Sequence, residues 1–584
     1  MSAPFAKILI ANRGEIAVRV IRSAKELGCA TVAVYSDADR DARHVALAGE
    51  AYHLGPAAPA QSYLNVERLL DVALRSGADA IHPGYGFFAE NAAFARAVIA
   101  AGITWIGPHP DAIDAMGDKV RSRQAMVAAG VPVVPGGTEP LADAAAARAA
   151  AAAYGLPLAL KASGGGGGKG LKVAHTLAEI ESAFANAQRE ATAYFGNATI
   201  YAERYLADPK HVELQILADK HGHVLHVGER DCSLQRRHQK LWEEAPAAIP
   251  ERVRDGLRRA GIAAARAIAY DSVGTIECLV ADGEFLFLEM NTRIQVEHTV
   301  SEMVSGIDLV REQILAASGR PLAFDQAAVD AGFRGHAIEV RINAEDPARN
   351  FAPAPGTLTR YEEPGGFGVR VDSAAYAGLT ITADYDSLIA KLIVWGRDRD
   401  EARARLARAI DEYRIGGVPT TLPLLRALVD YGPVVDASYG TQTLEPFAAT
   451  LGGPPAGTES PPDGTVAARE DTLRVEVDGR LFRVRFVDLP LPRGAARPPA
   501  PRKGGTARKS GAAHGNDVLA PMHGVVVELP LAAGTSVAEG DVVAVIEAMK
   551  MMNEIRAHKA GTIAAVHVVP GATVEARTPL LTLA

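Results

Sequence analysis

Glu289, Asn291, Arg293, Gln295 and Glu297 occupy every second position, with Met290, Thr292, Ile294 and Val296 between them. In an extended chain, successive side chains point to opposite faces, so the five polar groups share one face. The plainer reading is a solvated strand face. Phe285 and Phe287 fall on the same face just upstream, so that face starts inside the protein. A solvent face also has no need for such a mixture of carboxylates, amides and guanidinium. Glu277 lies on what reads as the preceding strand. Ala281-Asp282-Gly283 suits a three-residue hairpin loop with glycine in the left-handed position. An odd-length loop puts Glu277 and Glu289 on one face as diagonal neighbours, their Cα atoms about 7–8 Å apart. Two carboxylates and Asn291 in that arrangement suit a hard cation, Mg²⁺ or Mn²⁺, bridging nucleotide phosphates.

Three other segments carry chemistry. In Lys161-Ala162-Ser163-Gly164-Gly165-Gly166-Gly167-Gly168-Lys169-Gly170, five consecutive glycines let backbone N–H groups converge on an anion. A P-loop needs glycine at position 163 and Ser or Thr after the lysine, so Ser163 and Gly170 exclude it. Apolar residues before Lys161 and Leu171-Lys172-Val173 after the loop predict strand–loop–strand, a flap over a triphosphate. Glu229 to Lys240 holds many cations in a strand-rich stretch, either an exposed loop or the lining of a phosphate and bicarbonate site. Near the end, Lys550 is flanked by Met549 and Met551, unusual for an exposed turn.

The elements that must position these groups follow from periodicity. Lys7 to Ala11 predicts a strand, Asn12-Arg13-Gly14-Glu15 leads into a helix to about Leu27, and Thr31 to Tyr35 predicts a second, parallel strand. The rhythm continues to about Gly117. The first turn lacks a glycine-rich dinucleotide fingerprint. From about Val131 to Val300, glycine-rich and hairpin-like segments mix with charged strands, and Arg334 to about Tyr413 is strand-rich again. Gly452 to Gly464 and Leu489 to Gly515 have linker composition, rich in Pro, Gly and Ala. Between them, Leu473 to Phe486 alternates around Asp478-Gly479, a hairpin signal. In the last segment, Ala520, Gly524, Gly534 and Val537 recur 37 positions later as Ala557, Gly561, Gly571 and Val574. Two such halves predict a small all-β sandwich with a quasi-twofold axis, with Lys550 where one half hands over to the other.

Composition narrows the class. The 584 residues suffice for several domains, and 48% hydrophobic with 22% charged residues is ordinary for a globular protein. A net charge of -8 argues against a nucleic-acid partner. The three cysteines are widely spaced and suggest no disulfide framework or zinc site. With no signal peptide and no apolar run long enough to span a bilayer, a cytoplasmic protein without membrane attachment is expected.

Ile10-Ala11-Asn12-Arg13-Gly14-Glu15-Ile16-Ala17, His82-Pro83-Gly84-Tyr85-Gly86-Phe87, Glu289 to His298, the basic cluster and Arg341-Ile342-Asn343-Ala344-Glu345-Asp346 all resemble biotin carboxylases. The resemblance runs from about Lys7 to Leu444. Glu547-Ala548-Met549-Lys550-Met551 separately resembles the attachment motif of biotinyl carrier domains. Together they resemble the alpha subunit of a biotin-dependent acyl-CoA carboxylase. Two positions depart from the family pattern: Thr299, where proline is usual, and Lys169, where some members have arginine.

The fold implied is α/β and α+β. It comprises a Rossmann-like N-terminal βαβ domain (1–117), an ATP-grasp domain (118–330), a mixed C-terminal domain (331–446), a linker and hairpin (447–488), a flexible linker (489–515) and an all-β biotinyl/lipoyl-type domain (516–584). The resemblance assigns ATP contacts to Lys119, Lys161, Gly167, Gly168, Glu203, Leu206, His211 and His238. It assigns metal ligation to Glu277, Glu289 and Asn291, and bicarbonate contacts to Lys240, Arg293, Gln295 and Val296. Glu297 matches the general base, Arg341 the biotin-contacting arginine and Lys550 the biotin-bearing lysine.

No carboxyltransferase segment is visible. The implied partners are therefore a separate carboxyltransferase beta subunit, in a hetero-oligomer, and a biotin protein ligase. The alternatives are an alpha subunit for methylcrotonyl-CoA or pyruvate, or a non-catalytic biotin carrier; the intact 289–297 stripe and glycine loop argue against the last.

Overall fold

Ile8, Leu9 and Ile10 are fully buried, as a parallel strand covered on both faces requires. Lys7–Ile10 (β1) pairs in parallel with Ala30–Ser36 (β2), across the helix Gly14–Glu26. Glu50–Gly55 (β3), Ala80–His82 (β4) and Thr104–Trp105 (β5) complete a parallel sheet of order β3-β2-β1-β4-β5. This is the Rossmann-like βαβ unit expected from the sequence. The computed structural model describes residues 2–137, 139–163, 170–236, 239–451, 472–477, 480–485, 516–521, 524–548, 551–575 and 577–584. The chain forms two compact units, the larger containing Met1–Leu451 and the smaller most of the residues beyond.

Within the larger unit, Leu158–Ala162 (β6), Leu171–Ala174 (β7) and Ile200–Arg204 (β8) form an antiparallel sheet of order β7-β6-β8. The strand–loop–strand expected around the glycines is thus present. The glycines from 164 to 168, with Gly167 and Gly168 among them, lie outside the described residues. The helices Ala144–Tyr154 and Ile180–Phe195 pack on this sheet through Ala147, Ala151, Phe184 and Ala187.

The second sheet carries the chemistry. Its strands are Lys210–Ala218 (β9), Val224–Arg236 (β10), Gln239–Ala245 (β11), Val273–Ala281 (β12), Glu284–Asn291 (β13) and His336–Asn343 (β14), followed by Leu388–Gly396 and Val369–Ser373. The order is β13-β12-β9-β10-β11-β14, then Leu388–Gly396, then Val369–Ser373, with every neighbour antiparallel. The sequence reading divides the chain at 330. The sheet crosses that point without a break, because β14 adds to β11. On its far side, Trp242, Val340, Leu392, Leu406 and Leu425 share one apolar cluster.

The β12–β13 hairpin differs from its expected form. The turn has two residues, Asp282 and Gly283, both in the left-handed region at φ 52° and 74°. A two-residue turn alone would set Glu277 opposite Leu288. A bulge beside Leu288 adds one residue and places Glu289 opposite Glu277. The two glutamates are therefore direct partners rather than diagonal ones. The bulge also turns Phe287 to the core with Cys278 and Met290, so the aromatic residues do not share the face of Glu289. β13 ends at Asn291, and 292–297 is a loop leading into the helix His298–Ser305.

In the smaller unit two four-stranded sheets face each other. One is Asp517–Leu519, Pro579–Leu583, Gly561–Val566 and Ser536–Val537; the other is Met551–Arg556, Val542–Ala548, Gly524–Glu528 and Thr573–Val574. Gly524 pairs with Val574, and Gly561 pairs with Val537. These are the repeat positions exchanged between halves, which is what a quasi-twofold axis demands. Gly534 and Gly571 carry the matching turns at φ 91° and 88°. Val526, Val543, Ile546, Ile563 and Leu581 fill the space between the sheets. Lys550 lies outside the described residues. Thr472–Val477 and Arg480–Arg485 pair antiparallel as expected, and both linker segments fall outside the described residues.

Candidate active site

A cleft of about 1130 Å³ opens between the small antiparallel sheet and the face of the eight-stranded sheet. Lys119, Lys161, Glu203, Leu206, His211, Lys240, Glu277, Glu289, Asn291, Arg293, Gln295, Val296, Glu297 and Arg341 all line it. Of the remaining sequence-derived candidates, Gly167, Gly168, His238 and Lys550 lie outside the described residues.

One end of the cleft is built by the stem of the glycine loop. Lys119 opens the helix Lys119–Ala128, whose N-cap Asp118 accepts from Arg121 N–H and from Ser163 Oγ at 2.7 Å. The cap therefore ties the base of the loop to the helix that carries Lys119. Lys119 Nζ lies 2.9 Å from Glu289 Oε2. Burial pushes the Lys119 ammonium down, but Glu289 outweighs it and holds the group above its ordinary value. Lys161 on β6 and Arg123 both donate to Glu203 on β8, the latter at 2.9 Å. These cations and the glycine loop suit a polyphosphate.

At the other end the sheet concentrates charge. Lys240 Nζ on β11 donates to Glu213, to Glu277 at 3.1 Å and to Glu297 at 2.7 Å. His211 Nε2 lies 3.0 Å from Glu277. Asn291 Nδ2 and Gln295 Nε2 each donate to Glu277 at 2.7 Å. Arg293 reaches Glu90 at 2.8 Å and Asn291 Oδ1 at 2.9 Å. The Val296 carbonyl accepts from the fully buried Lys391 at 2.8 Å. Arg341 donates to Glu243 at 2.6 Å and to Glu297 at 2.9 Å.

Burial pushes the Glu297 carboxyl up, but Lys240, Arg341 and Arg230 together hold it well below the usual carboxylate range. It is ionised throughout the neutral range, as a base must be. Burial likewise opposes the charge on Glu277, which Lys240 and His211 keep ionised. Glu277, Glu289 and Asn291 sit on neighbouring strands and offer oxygen donors towards the cleft, with Glu277 directly opposite Glu289. Hard oxygen donors of this kind fit Mg²⁺ or Mn²⁺.

Three participants escaped the sequence reading, Glu213, Glu243 and Glu90, while Arg230 was part of the basic cluster. Glu213 shares the strand and face of His211, and that i, i+2 spacing was a usable signal. Arg230, fully buried, donates to Glu213 at 2.9 Å and to Gln295 Oε1 at 2.7 Å. The basic cluster is therefore divided. Arg230 and Lys240 serve the cleft, whereas Glu229 binds Arg254 and Arg258 outside it at 2.6 and 2.9 Å. All of these are strand residues, not an exposed loop. Thr299, in place of the family's proline, is buried and donates to Glu339.

Comparison with known proteins agrees with this geometry. Residues 4–113 match the biotin carboxylase N-terminal domain, and 118–324 the ATP-binding domain of the carbamoyl-phosphate synthase L chain. Residues 339–446 match the biotin carboxylase C-terminal domain, and 516–583 the domain of biotin-requiring enzymes. The chain is 45% identical to the biotin-dependent acyl-coenzyme A carboxylase alpha3 subunit of Mycobacterium leprae, across 99% of this chain and 98% of that one. It is 51% identical to a pyruvate carboxylase subunit of Methanothermobacter thermautotrophicus, over 73% of this chain and 86% of that one. The biotin carboxylase domain of Hydrogenobacter thermophilus 2-oxoglutarate carboxylase, solved with MgADP, ADP and bicarbonate, superposes with a TM-score of 0.73 at 49% identity, covering 76% of this chain and 97% of that one. The chain therefore belongs to the biotin-dependent carboxylases, as an alpha subunit that joins a biotin carboxylase, an ATP-dependent ligase, to a biotin-bearing domain.

Proposed function

We propose that this chain is the alpha subunit of an acyl-CoA carboxylase, charging its own biotin for transfer of the carboxyl group to an acyl-CoA on a partner chain. One observation carries the acceptor class. The mycobacterial acyl-CoA carboxylase subunit matches this chain from end to end, carrier included, whereas the match to the pyruvate carboxylase subunit covers 73% of it. The partner is a carboxyltransferase beta subunit in a hetero-oligomer, and a biotin protein ligase supplies the modification at Lys550.

In this reading Glu297 takes a proton from bicarbonate as the bicarbonate oxygen attacks the γ-phosphate of ATP, expelling ADP and forming carboxyphosphate. This releases CO₂ and phosphate, the phosphate takes the ureido N–H proton of biotin, and the nitrogen bonds the CO₂. Arg293, Gln295, Val296 and Lys240 hold the bicarbonate. Lys119, Lys161 and the glycine loop with Gly167 and Gly168 hold the phosphates. Glu203, Leu206, His211 and His238 serve the rest of the nucleotide. A divalent cation held by Glu277, Glu289 and Asn291 supplies neutralisation of phosphate charge. Arg341 binds the ureido oxygen of biotin and stabilises the negative charge that develops there.

The test is purification of the native complex and an assay with acetyl-, propionyl- and methylcrotonyl-CoA and with pyruvate. Carboxylation of a saturated acyl-CoA is expected. Activity with pyruvate or methylcrotonyl-CoA alone refutes the acceptor class while leaving the biotin carboxylase half intact.

A further inference from the structure

Glu243 is fully buried on β11, opposite Glu339 on β14. One oxygen, Oε1, accepts from Nε of Arg341 at 2.6 Å and forms an ion pair with Nη2 at 2.5 Å. The other oxygen, Oε2, is buried and has no hydrogen-bond partner among the described residues. Nη2 of Arg341 is shared, since it also donates to Glu297 Oε2 at 2.9 Å. The guanidinium is thus held by two carboxylates with different duties. Glu297 has to act as a base, so its bond to Arg341 has to be given up or weakened during the reaction. Glu243 lines no part of the cleft and has no such duty.

We propose that Glu243 is the positioning residue that keeps the Arg341 guanidinium in place while the ureido oxygen of biotin displaces Glu297 from it. The inference rests on Arg341 being the biotin-contacting group. One N–H bond from Nε and the close ion pair of Nη2 to the same buried oxygen hold the guanidinium in place, and a charged hydrogen bond in a buried site is stronger than its neutral counterpart. Without Glu243, Glu297 is the one carboxylate among the described residues still in ion-pair reach of Arg341, and the guanidinium closes on it. That withdraws the cation from biotin.

The charges around Glu243 support this. Arg341, Glu339 and, one strand further, Lys391 face it from the β14 side. Glu297 approaches from the head of the helix His298–Ser305, and Lys240 and Cys232 lie on β11 and β10. Burial pushes the Glu243 carboxyl up to about 7, against the pull of Arg341. Glu339 is pushed well above the carboxylate range by burial, and the Cys232 thiol well above its ordinary value by the same cause. The thiol does not compete as an anion near neutrality. The anchor works when Glu243 is ionised, so affinity for biotin falls as pH drops through about 7.

The experiment measures KM for free biotin, ATP and bicarbonate in the full-length protein with Glu243→Gln, Glu243→Asp and Arg341→Lys, from about pH 6 to 8.5, with ADP binding as a check of folding. Glu243→Gln is expected to raise KM for biotin by about tenfold, with the other two constants within about twofold. It is also expected to flatten the acid limb of the biotin KM that the wild type shows. Glu243→Asp keeps the charge and should recover part of the loss. An unchanged biotin KM in Glu243→Gln overturns the proposal, as does a rise shared by all three constants or an acid limb that persists. If Glu243→Gln does not fold, a wild-type biotin KM that ignores pH overturns it, and so does an unaltered biotin KM in Glu243→Asp. If Arg341→Lys itself leaves biotin binding untouched, the assignment of Arg341 fails and this inference falls with it. If only the glutamate variants are silent, the assignment of Arg341 stands and Glu243 is dispensable.

Discussion

Glu297 Oε1 lies 2.7 Å from Lys240 Nζ, and both groups are nearly closed to solvent, at 2% and 11% side-chain exposure. The base is therefore held by a cation, Lys240, that also faces Glu213 and Glu277. In the proposed reading, an incoming bicarbonate would bring its own negative charge to the same lysine. It would then loosen that cation from Glu297, coupling substrate entry to release of the base.

Glu297→Gln keeps the shape and a hydrogen-bonding group at this point but removes the proton acceptor. Bicarbonate-dependent ATP cleavage should fall by about 10²–10⁴-fold. ADP affinity should stay near that of the wild type, because no phosphate contact is lost. Isothermal titration with ADP beside a phosphate-release assay separates the two effects. A variant that loses nucleotide binding to the same degree refutes the role of Glu297 as base.

Glu289 pairs with Lys119 at 2.9 Å and faces Glu277 across the hairpin. Glu289→Gln removes a charged oxygen donor but leaves Glu277, Asn291 and the base untouched. The Mg²⁺ concentration for half-maximal ATP cleavage should rise by about an order of magnitude, with the rate at saturating Mg²⁺ largely recovered. A rate that stays low however much Mg²⁺ is added assigns Glu289 to the chemical step instead.

The alternation of 289 to 297 picked out side chains that do line one cleft, through a geometry that holds only in part. Glu289 and Asn291 are on a strand, but Arg293, Gln295 and Glu297 reach the cleft from a loop. Glu277 and Glu289 share a face because of a bulge beside Leu288, and neither bulge nor register is written in hydrophobic period. Glu213 and Glu243 were hidden, and Arg230 stood out only as part of a basic cluster, for a related reason. They meet the site through pairing of β9, β10, β11 and β14, which are well separated in sequence, and a buried carboxylate looks like any other glutamate until its partner strand is known. The carrier was more legible. Its 37-residue repeat predicts two halves about a quasi-twofold axis, and the pairs Gly524–Val574 and Gly561–Val537 are the exchange that such an axis produces.

Glu244, next to Glu243 but on the opposite face of β11, anchors the C-terminal region. It accepts from His336 at 2.8 Å, from Arg399 at 2.8 and 3.0 Å and from Tyr439. Burial opposes its charge, but His336 and Arg399 prevail and hold the carboxyl at about 2. The folded value lies below the ordinary 4.5, so the unfolded chain binds the proton more readily. The stabilisation is complete above about pH 4.5 and is lost as pH falls towards 2. The shift corresponds to about 3 kcal/mol. Urea unfolding followed by the fluorescence of the neighbouring Trp242 should show this loss between about pH 5 and 2.5. Glu244→Gln should be less stable at neutral pH and should lack that part of the slope; an unchanged slope refutes the role of Glu244.

In the proposed reading, biotin carried on Lys550 serves both the carboxylase and the carrier. The strands Val542–Ala548 and Met551–Arg556 bracket this position in sequence, between the two halves of the 37-residue repeat. A ligase that reads the fold of the carrier needs this lysine and no other. Intact-mass analysis after co-expression with a biotin protein ligase should show one biotinyl adduct, absent from Lys550→Arg. That variant should still carboxylate free biotin at the normal rate, since the cleft lined by Lys240, Glu297 and Arg341 is untouched. It should transfer nothing to an acyl-CoA when mixed with the carboxyltransferase. An adduct that persists in Lys550→Arg refutes the attachment site. Loss of free-biotin carboxylation in the same variant shows instead that the lysine serves the ligase site itself.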